Sequence, residues 1–210
     1  HIVATPHSNS QYIFLPEKNK EKIAELQSHV GDTPKILSGC DFHLSYENIQ
    51  EALQNPVPFT INHKNYLLVE FDSYVIPQTI QQVFFELLSI GIIPVITHPE
   101  RNQVIQRHPQ LVFDWVNSGC LIQVTAQSLT GRFGSKAKRL SRQLLEHNLV
   151  HVIASDAHNV DSRPPLLSQC FNIIKTEYGE TLVDELFRKH PQAILEGKDF
   201  ILNQSPENFQ

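Results

Sequence analysis

Short runs of β-branched and other apolar residues recur along the chain, and stretches of helical spacing separate them. Residues 2–5, 35–38, 66–71, 92–97, 120–125 and 149–154 read as six short buried strands. The clearest helix lies over 77–91, where Pro77 opens the first turn, Ile80, Val83, Phe84, Leu87 and Leu88 share one face, and Gly91 closes it. Residues 109–118 and 135–147 repeat the theme, the first with Leu111, Val112, Trp115 and Val116 turned inward. Strand–helix alternation of this kind predicts an α/β fold with parallel strands and crossover helices. Beyond residue 164 the spacing is helical only, over 164–178, 181–189 and a last turn near 191–195. A single domain is expected over residues 1–202, with a polar tail over 203–210.

Composition narrows the function classes. A chain of 210 residues with 40% hydrophobic and 19% charged residues is an ordinary globular protein with room for one sizeable core. A net charge of −5 makes nucleic acid an unfavourable main partner, since phosphate backbones attract basic surfaces. No apolar run approaches the roughly 20 residues that span a bilayer, and the first residues lack a secretory pattern. Cys40, Cys120 and Cys170 sit at unrelated spacings, which suits a reducing, cytoplasmic compartment with small buried thiols. The chain contains no methionine and opens at His1 inside a strand pattern, so an N-terminally incomplete chain is expected.

Metal-ligand residue types recur at the ends of the predicted strands. His7 follows the first, Asp41 the second, Glu70 and His98 close the third and fourth, and Asp156 with His158 follows the sixth. His7 and Asp41 are 34 apart, Asp41 and Glu70 29, Glu70 and His98 28, and His98 and Asp156 58, twice 29. Each interval fits one β/α unit, and the double interval spans the one strand, 120–125, that ends without an acid or imidazole. Parallel barrel strands deliver their C-terminal ends to one mouth. Carboxylates and imidazoles gathered there call for cations to offset their charge. Mixed nitrogen and oxygen donors suit manganese, iron or zinc, which would activate a water and clamp a phosphoester. Taken singly, each of these residues could equally cap a helix or sit in a polar loop.

Arg101 follows His98 by three residues and Arg163 follows His158 by five. A guanidinium fork matches phosphate oxygens and stays charged beside metal ions. The competing reading is a surface ion pair, Arg101 with Glu100 and Arg163 with Asp161. His43 shares strand parity with Asp41, which offers it as an extra ligand, but reads more simply as an exposed loop residue, and His151 has the opposite parity to Asp156 and faces outer helices. His29, His63, His108, His147 and His190 lie in polar stretches and read as solvated. From Arg132 to Arg142 the cations Arg132, Lys136, Lys138, Arg139 and Arg142 occur without an acid, as a solvated helix face or as a surface that steers an acidic phosphorylated tail. A cysteine phosphatase needs an arginine six residues after its thiolate. Tyr46, Ala126 and Thr176 occupy those positions, which excludes that mechanism.

Ala4-Thr5-Pro6-His7, Leu68-Val69-Glu70-Phe71, Thr97-His98-Pro99-Glu100-Arg101-Asn102, Thr130-Gly131-Arg132-Phe133-Gly134 and Ala154-Ser155-Asp156-Ala157-His158-Asn159 resemble the bacterial tyrosine-protein phosphatases of the PHP (polymerase and histidinol phosphatase) superfamily. That group serves capsule and exopolysaccharide systems, and the resemblance runs from residue 1 to about 200. It implies a distorted (β/α)7 TIM-like PHP barrel and a manganese centre of two or three divalent ions, with iron or zinc as other occupants. His7, Asp41, Glu70, His98, Asp156 and His158 would then be metal ligands, and Arg101 and Arg163 the catalytic, phosphate-binding arginines. Asp41 stands where the family more often has Glu, one methylene longer. The family opens with a His-x-His strand, so six readable strands imply that the first β/α unit is missing here.

The implied reaction is hydrolysis of phosphotyrosine on a protein, a bacterial tyrosine kinase, by metal-activated hydroxide attacking phosphorus in line. Two alternatives stand beside it: a PHP phosphatase of a small phosphoester such as histidinol phosphate, and a catalytically silent barrel that binds a partner.

Overall fold

The computed structural model describes residues 1–44, 49–199 and 204–209; Tyr46 and the expected start of the tail, Asn203, lie outside them. Strand β1 (Ile2–Ala4) pairs with β3 (Ile36–Ser38), and β2 (His7–Ser8) with β4 (Asp41–His43), both in parallel. The two ladders share one offset, Ile2 opposite Ile36 and His7 opposite Asp41, so they form one interrupted strand pair. Asp41 N–H donates to Pro6 O at 3.1 Å across the interruption. A Cβ on Gly39 would lie 2.8 Å from Val3 Cγ1 and 3.2 Å from Thr5 Cγ2, so a larger residue at the interruption would have to displace these two side chains. His7 and Asp41 therefore lie on strands, and do not follow them as the sequence suggests.

The sheet continues in chain order through β5 (Tyr66–Glu70), β6 (Ile93–Thr97), β7 (Leu121–Thr125) and β8 (Val152–Ala154), every pair parallel. Parallel neighbours in sequential order put all strand C-terminal ends on one side, the condition the donor spacing needs.

Helices cover the sheet. In chain order they are α1 (Pro16–Val30), α2 (Ile49–Gln54), α3 (Ile80–Ser89), α4 (Gln103–Arg107), α5 (Gln110–Asn117), α6 (Ala126–Leu129), α7 (Gly134–Glu146), α8 (Ser168–Tyr178), α9 (Glu180–Asp184) and α10 (His190–Glu196). The helix expected over 77–91 is α3, and it buries Ile80, Val83, Phe84 and Leu87 as its spacing requires. Trp115 of α5 packs on Phe71 and Phe84 with ring centroids at 5.5 and 5.8 Å, joining α3, α5 and the end of β5 in one core. Residues Glu185–Lys189 form a wide π turn that joins α9 directly to α10, where two separate helices were expected. Pro191 lacks the N–H that a regular ladder needs there. Helix α1 escapes sequence reading because it buries no residue and so carries no apolar stripe. Among the described residues no helix is long and apolar enough to cross a membrane.

His190 corrects its expectation: it is buried, 4% exposed, with Nδ1 at 2.8 Å from His151 O. His151 is fully buried as its parity indicates, and its Nδ1 accepts from Ile122 N–H at 3.1 Å. Burial, then the neighbouring His190, pushes the His151 pKa down from 6.5 to about 3. The unfolded chain thus binds a proton that the native state refuses. The stability due to neutral His151 is complete above 6.5 and is lost as pH falls from there toward 3. His151→Asn, whose Oδ1 can accept from Ile122 N–H, removes this dependence. Between pH 7 and 5 the wild type is expected to lose roughly 2 kcal/mol more unfolding free energy than the variant in urea titrations.

Candidate metal centre and phosphate site

The strand ends converge on a cleft of about 440 Å³ lined by His7, Glu70, His98, Arg101, Phe133, Asp156, His158 and Arg163, among others. Asp41, 6% exposed, lies against two of these lining residues, 3.7 Å from His7 and 3.8 Å from His98. All eight residues expected at the site therefore gather in or against this cleft, although the first and last are 156 residues apart in sequence. Register explains the first cluster. His7 faces Asp41 across β2 and β4, and His43 faces Glu70 across β4 and β5. His98 N–H donates to Gln123 O at 2.8 Å, which carries the β6 ladder one residue further and holds the imidazole over the mouth.

Two residues at strand ends adopt left-handed backbone, His98 with φ 37° and Asp156 with φ 49°. A residue with a Cβ spends on the order of 1–2 kcal/mol in that region. Such strain is kept where the surrounding structure and the role of the side chain require it. Both are residues whose chemistry the spacing singles out.

Imidazoles surround Glu70. His7 Nδ1 lies 3.1 Å from Glu70 Oε2, His98 Nε2 3.3 Å from Oε1 and His43 Nδ1 3.8 Å from Oε2. Asp41 Oδ2 lies 3.7 Å from His7 Nδ1 and 3.8 Å from His98 Nε2, while Thr97 Oγ1 donates to Asp41 Oδ1 at 3.2 Å. Burial opposes charge on Glu70, but the imidazoles of His43, His7 and His98 outweigh it and hold its carboxyl far below the usual range. Burial likewise opposes charge on His98, yet Asp41 and Glu70 raise its pKa to about 9. Glu70 raises His7 in the same way, against burial.

Donor atoms of His7, Asp41 and Glu70 lie within 4.8 Å of one another. His7 Nδ1 is buried and, despite its proximity to Glu70, makes no aligned hydrogen bond. A buried imidazole nitrogen and carboxylate oxygens turned toward one point, without the geometry of proton sharing, suit a divalent cation.

Guanidiniums surround Asp156. Arg101 Nη1 reaches Asp156 Oδ2 at 2.8 Å, Arg163 Nη2 donates to the same oxygen, and His158 Nδ1 lies 3.7 Å from Oδ1. Neither arginine takes the sequence neighbour suggested as its surface partner. Glu100 is fully buried and accepts from Thr125 N–H at 3.1 Å and Ser128 Oγ at 2.6 Å. Burial raises its pKa, and Arg101 offsets this only in part. Two asparagines fix the loops. Asn102 caps α4 by accepting from Val104 and Ile105 N–H, and Asn159 Oδ1 accepts from the N–H groups of Asp161, Ser162 and Arg163.

Of two further members, the exposed-loop reading of His43 is overturned and Phe133 carried no signal of a site role in the sequence. His43 is half-buried on β4 beside Glu70, and the parity it shares with Asp41 was the available signal. Phe133 lies beneath both arginines, its ring centre 4.8 Å from Arg101 Cζ and 5.6 Å from Arg163 Cζ. Gly131 and Gly134, with φ of 93° and 90°, turn the chain sharply on either side of it. The three cysteines are free and buried, and burial pushes the Cys120 and Cys170 thiols up to about 12, which leaves no thiolate nucleophile.

The chain is similar to known proteins over nearly its whole length. The family profile described as capsular polysaccharide synthesis, CpsB/CapC, matches residues 1–196. CapC of Staphylococcus aureus is 40% identical over 201 residues, 92% of this chain and 77% of that protein. The tyrosine-protein phosphatase YwqE of Bacillus subtilis is 33% identical over 216 residues, covering 95% and 85%. The tyrosine-protein phosphatase CpsB of Streptococcus pneumoniae is 32% identical over 203 residues, covering 92% and 83%. A crystal structure from the work on YwqE and CpsB, described as unique metal-dependent tyrosine phosphatases, superposes with a TM-score of 0.90 at 31% identity, over 100% of this chain and 85% of that one. With the profile spanning nearly the whole chain and relatives above 30% identity, this chain belongs to the CpsB/CapC family of capsular polysaccharide synthesis proteins.

Proposed function

We propose that this chain is a metal-dependent protein-tyrosine phosphatase whose substrate is a bacterial tyrosine kinase of capsule or exopolysaccharide synthesis. The observation that carries this reading is the division of one cleft into an imidazole–carboxylate cluster around Glu70 and an arginine pair on Asp156. In this reading His7, Asp41, Glu70, His98, Asp156 and His158 hold two or three divalent ions, manganese in the first place. Such ions supply Lewis acidity and activate water at neutral pH. The sequential parallel sheet is read as the wall of a distorted (β/α) barrel, whose mouth is the cleft. The free, buried thiols fit a cytoplasmic protein.

The chain's own residues then do the following. Arg101 and Arg163 exchange Asp156 for phosphoryl oxygens and stabilise the charge that spreads over them in the transition state. Phe133 holds both guanidiniums from below, so the fork is in place before substrate arrives. His43 orients Glu70, and Asn102 and Asn159 fix the loops bearing the two arginines. A phenol of ordinary pKa, about 10, leaves readily, so the site needs no strong proton donor.

The test is release of phosphate from a phosphotyrosine peptide after chelation and after manganese is restored. Loss and recovery of turnover are expected. Turnover that survives thorough chelation overturns the metal reading, and hydrolysis of histidinol phosphate without phosphotyrosine hydrolysis selects a small-metabolite enzyme.

A further inference from the structure

Helix α7 begins beside the cleft and is charged the wrong way for a helix. Its first turn has no acid, Lys136 stands there instead, and Glu146 ends it. A helix N-terminus repels cations and its C-terminus repels anions, so this arrangement weakens α7. Five cations between Arg132 and Arg142 occur without an acid, in a chain whose net charge is −5. Two of the five are used by the fold: Arg142 forms a bidentate pair with Glu177, and the stem of Lys138 covers Gly131. Arg132, Lys136 and Arg139 are exposed, and among the described residues none of them has a carboxylate partner.

Their position matters as much as their charge. Phe133, which lines the cleft, lies between Arg132 and Gly134, and α7 packs against the Pro99–Arg101 turn that carries one phosphate-binding arginine. Lys136 and Arg139 are three residues apart and so share one face of α7. The cationic strip therefore starts at the lip of the cleft and runs away along the helix. Arg139 lies five residues beyond Gly134, about 7 Å along the axis at helical rise. An extended peptide covers that distance in roughly two or three residues.

We propose that Arg132, Lys136 and Arg139 form a docking strip for an acidic segment flanking the phosphotyrosine of the protein substrate, with aspartate or glutamate within about five residues of it. This rests on the phosphatase reading above and names the class of substrate. Nucleic acid would also be drawn to cations, but the overall negative charge of the chain opposes a long polyanion more than a short peptide segment.

The experiment compares the metal-loaded wild type with the triple variant Arg132→Gln, Lys136→Gln, Arg139→Gln. Probes are two fluorescein-labelled peptides carrying a non-hydrolysable phosphonate analogue of phosphotyrosine, one flanked by glutamates and one by serines, read by anisotropy at two salt concentrations. Turnover of p-nitrophenyl phosphate runs in parallel. The acidic peptide is expected to bind the wild type about ten-fold more tightly than the neutral one at low salt, and the variant to lose that preference and its salt dependence. Turnover of p-nitrophenyl phosphate should stay within about two-fold, and thermal stability should not fall, since cations are leaving a helix start.

Equal binding of both peptides by the wild type overturns the proposal, as does a variant that keeps the preference. Tighter wild-type binding of a single-stranded 20-mer DNA than of the acidic peptide overturns it in favour of nucleic acid. A wild type that hydrolyses neither p-nitrophenyl phosphate nor phosphotyrosine with manganese would instead reject the phosphatase reading, which separates the two failures.

Discussion

Glu70→Gln is expected to lower phosphotyrosine turnover on the order of 10³-fold and to abolish tight manganese binding, because several kcal/mol of electrostatic stabilisation depend on this carboxylate. The substitution preserves shape and removes charge. Glu70 faces His7, His43 and His98 at 3.1–3.8 Å, and an amide there presents N–H to imidazoles that a carboxylate accepts from. It also removes an anionic oxygen from the His7, Asp41 and Glu70 donor group. Titration calorimetry with manganese reads the first effect, phosphate release the second, and near-ultraviolet circular dichroism should confirm an intact core. Manganese affinity within about three-fold of wild type would show that Glu70 is not a ligand.

The arginine pair should fail in a different way. Arg101→Ala and Arg163→Ala are each expected to lower kcat/KM on the order of 10²–10³-fold, the scale of losing one charged donor to a transferring phosphoryl group. Inhibition by inorganic phosphate should weaken in step. Manganese affinity should hold or rise, since Asp156 Oδ2 now takes both guanidiniums and either truncation removes one of the two cationic groups that compete with a metal for it. Lysine should restore little at either position, because a point charge cannot reproduce the fork or its contact with Phe133. Calorimetry together with steady-state kinetics checks this. A parallel fall in metal affinity would mean that the arginines support the metal cluster and do not hold phosphate.

Much of the site was legible before any coordinates. His7, Asp41, Glu70, His98, Asp156 and His158 recur in phase with a β/α unit; five of them line one cleft, and Asp41 lies against His7 and His98 beside it. The reason is local: a strand and its covering helix each announce themselves by apolar period, and parallel order then fixes which ends share a mouth. His151 was assigned correctly on parity alone, and it is buried against Ile122 and His190. Where the period was faint the reading faltered. Helix α1 buries nothing, and the strand pair interrupted at Gly39 looked like two strands followed by loops.

Hydrophobic period and residue order in the sequence by themselves determine the α/β class, the six parallel strands and the roster of donors, because those depend on contacts within one or two β/α units. Only tertiary structure decided how the donors divide: imidazoles on Glu70, guanidiniums on Asp156, Glu100 withdrawn into the core. It also brought His43 into the cluster, buried His190 and slid Phe133 beneath two arginines. Partner choice among charged side chains turns on strand register and on left-handed backbone at His98 and Asp156, which aim a side chain across elements far apart in sequence. Differences of an ångström or two in that aim separate an ion pair from a metal ligand, and no periodicity along the chain encodes them.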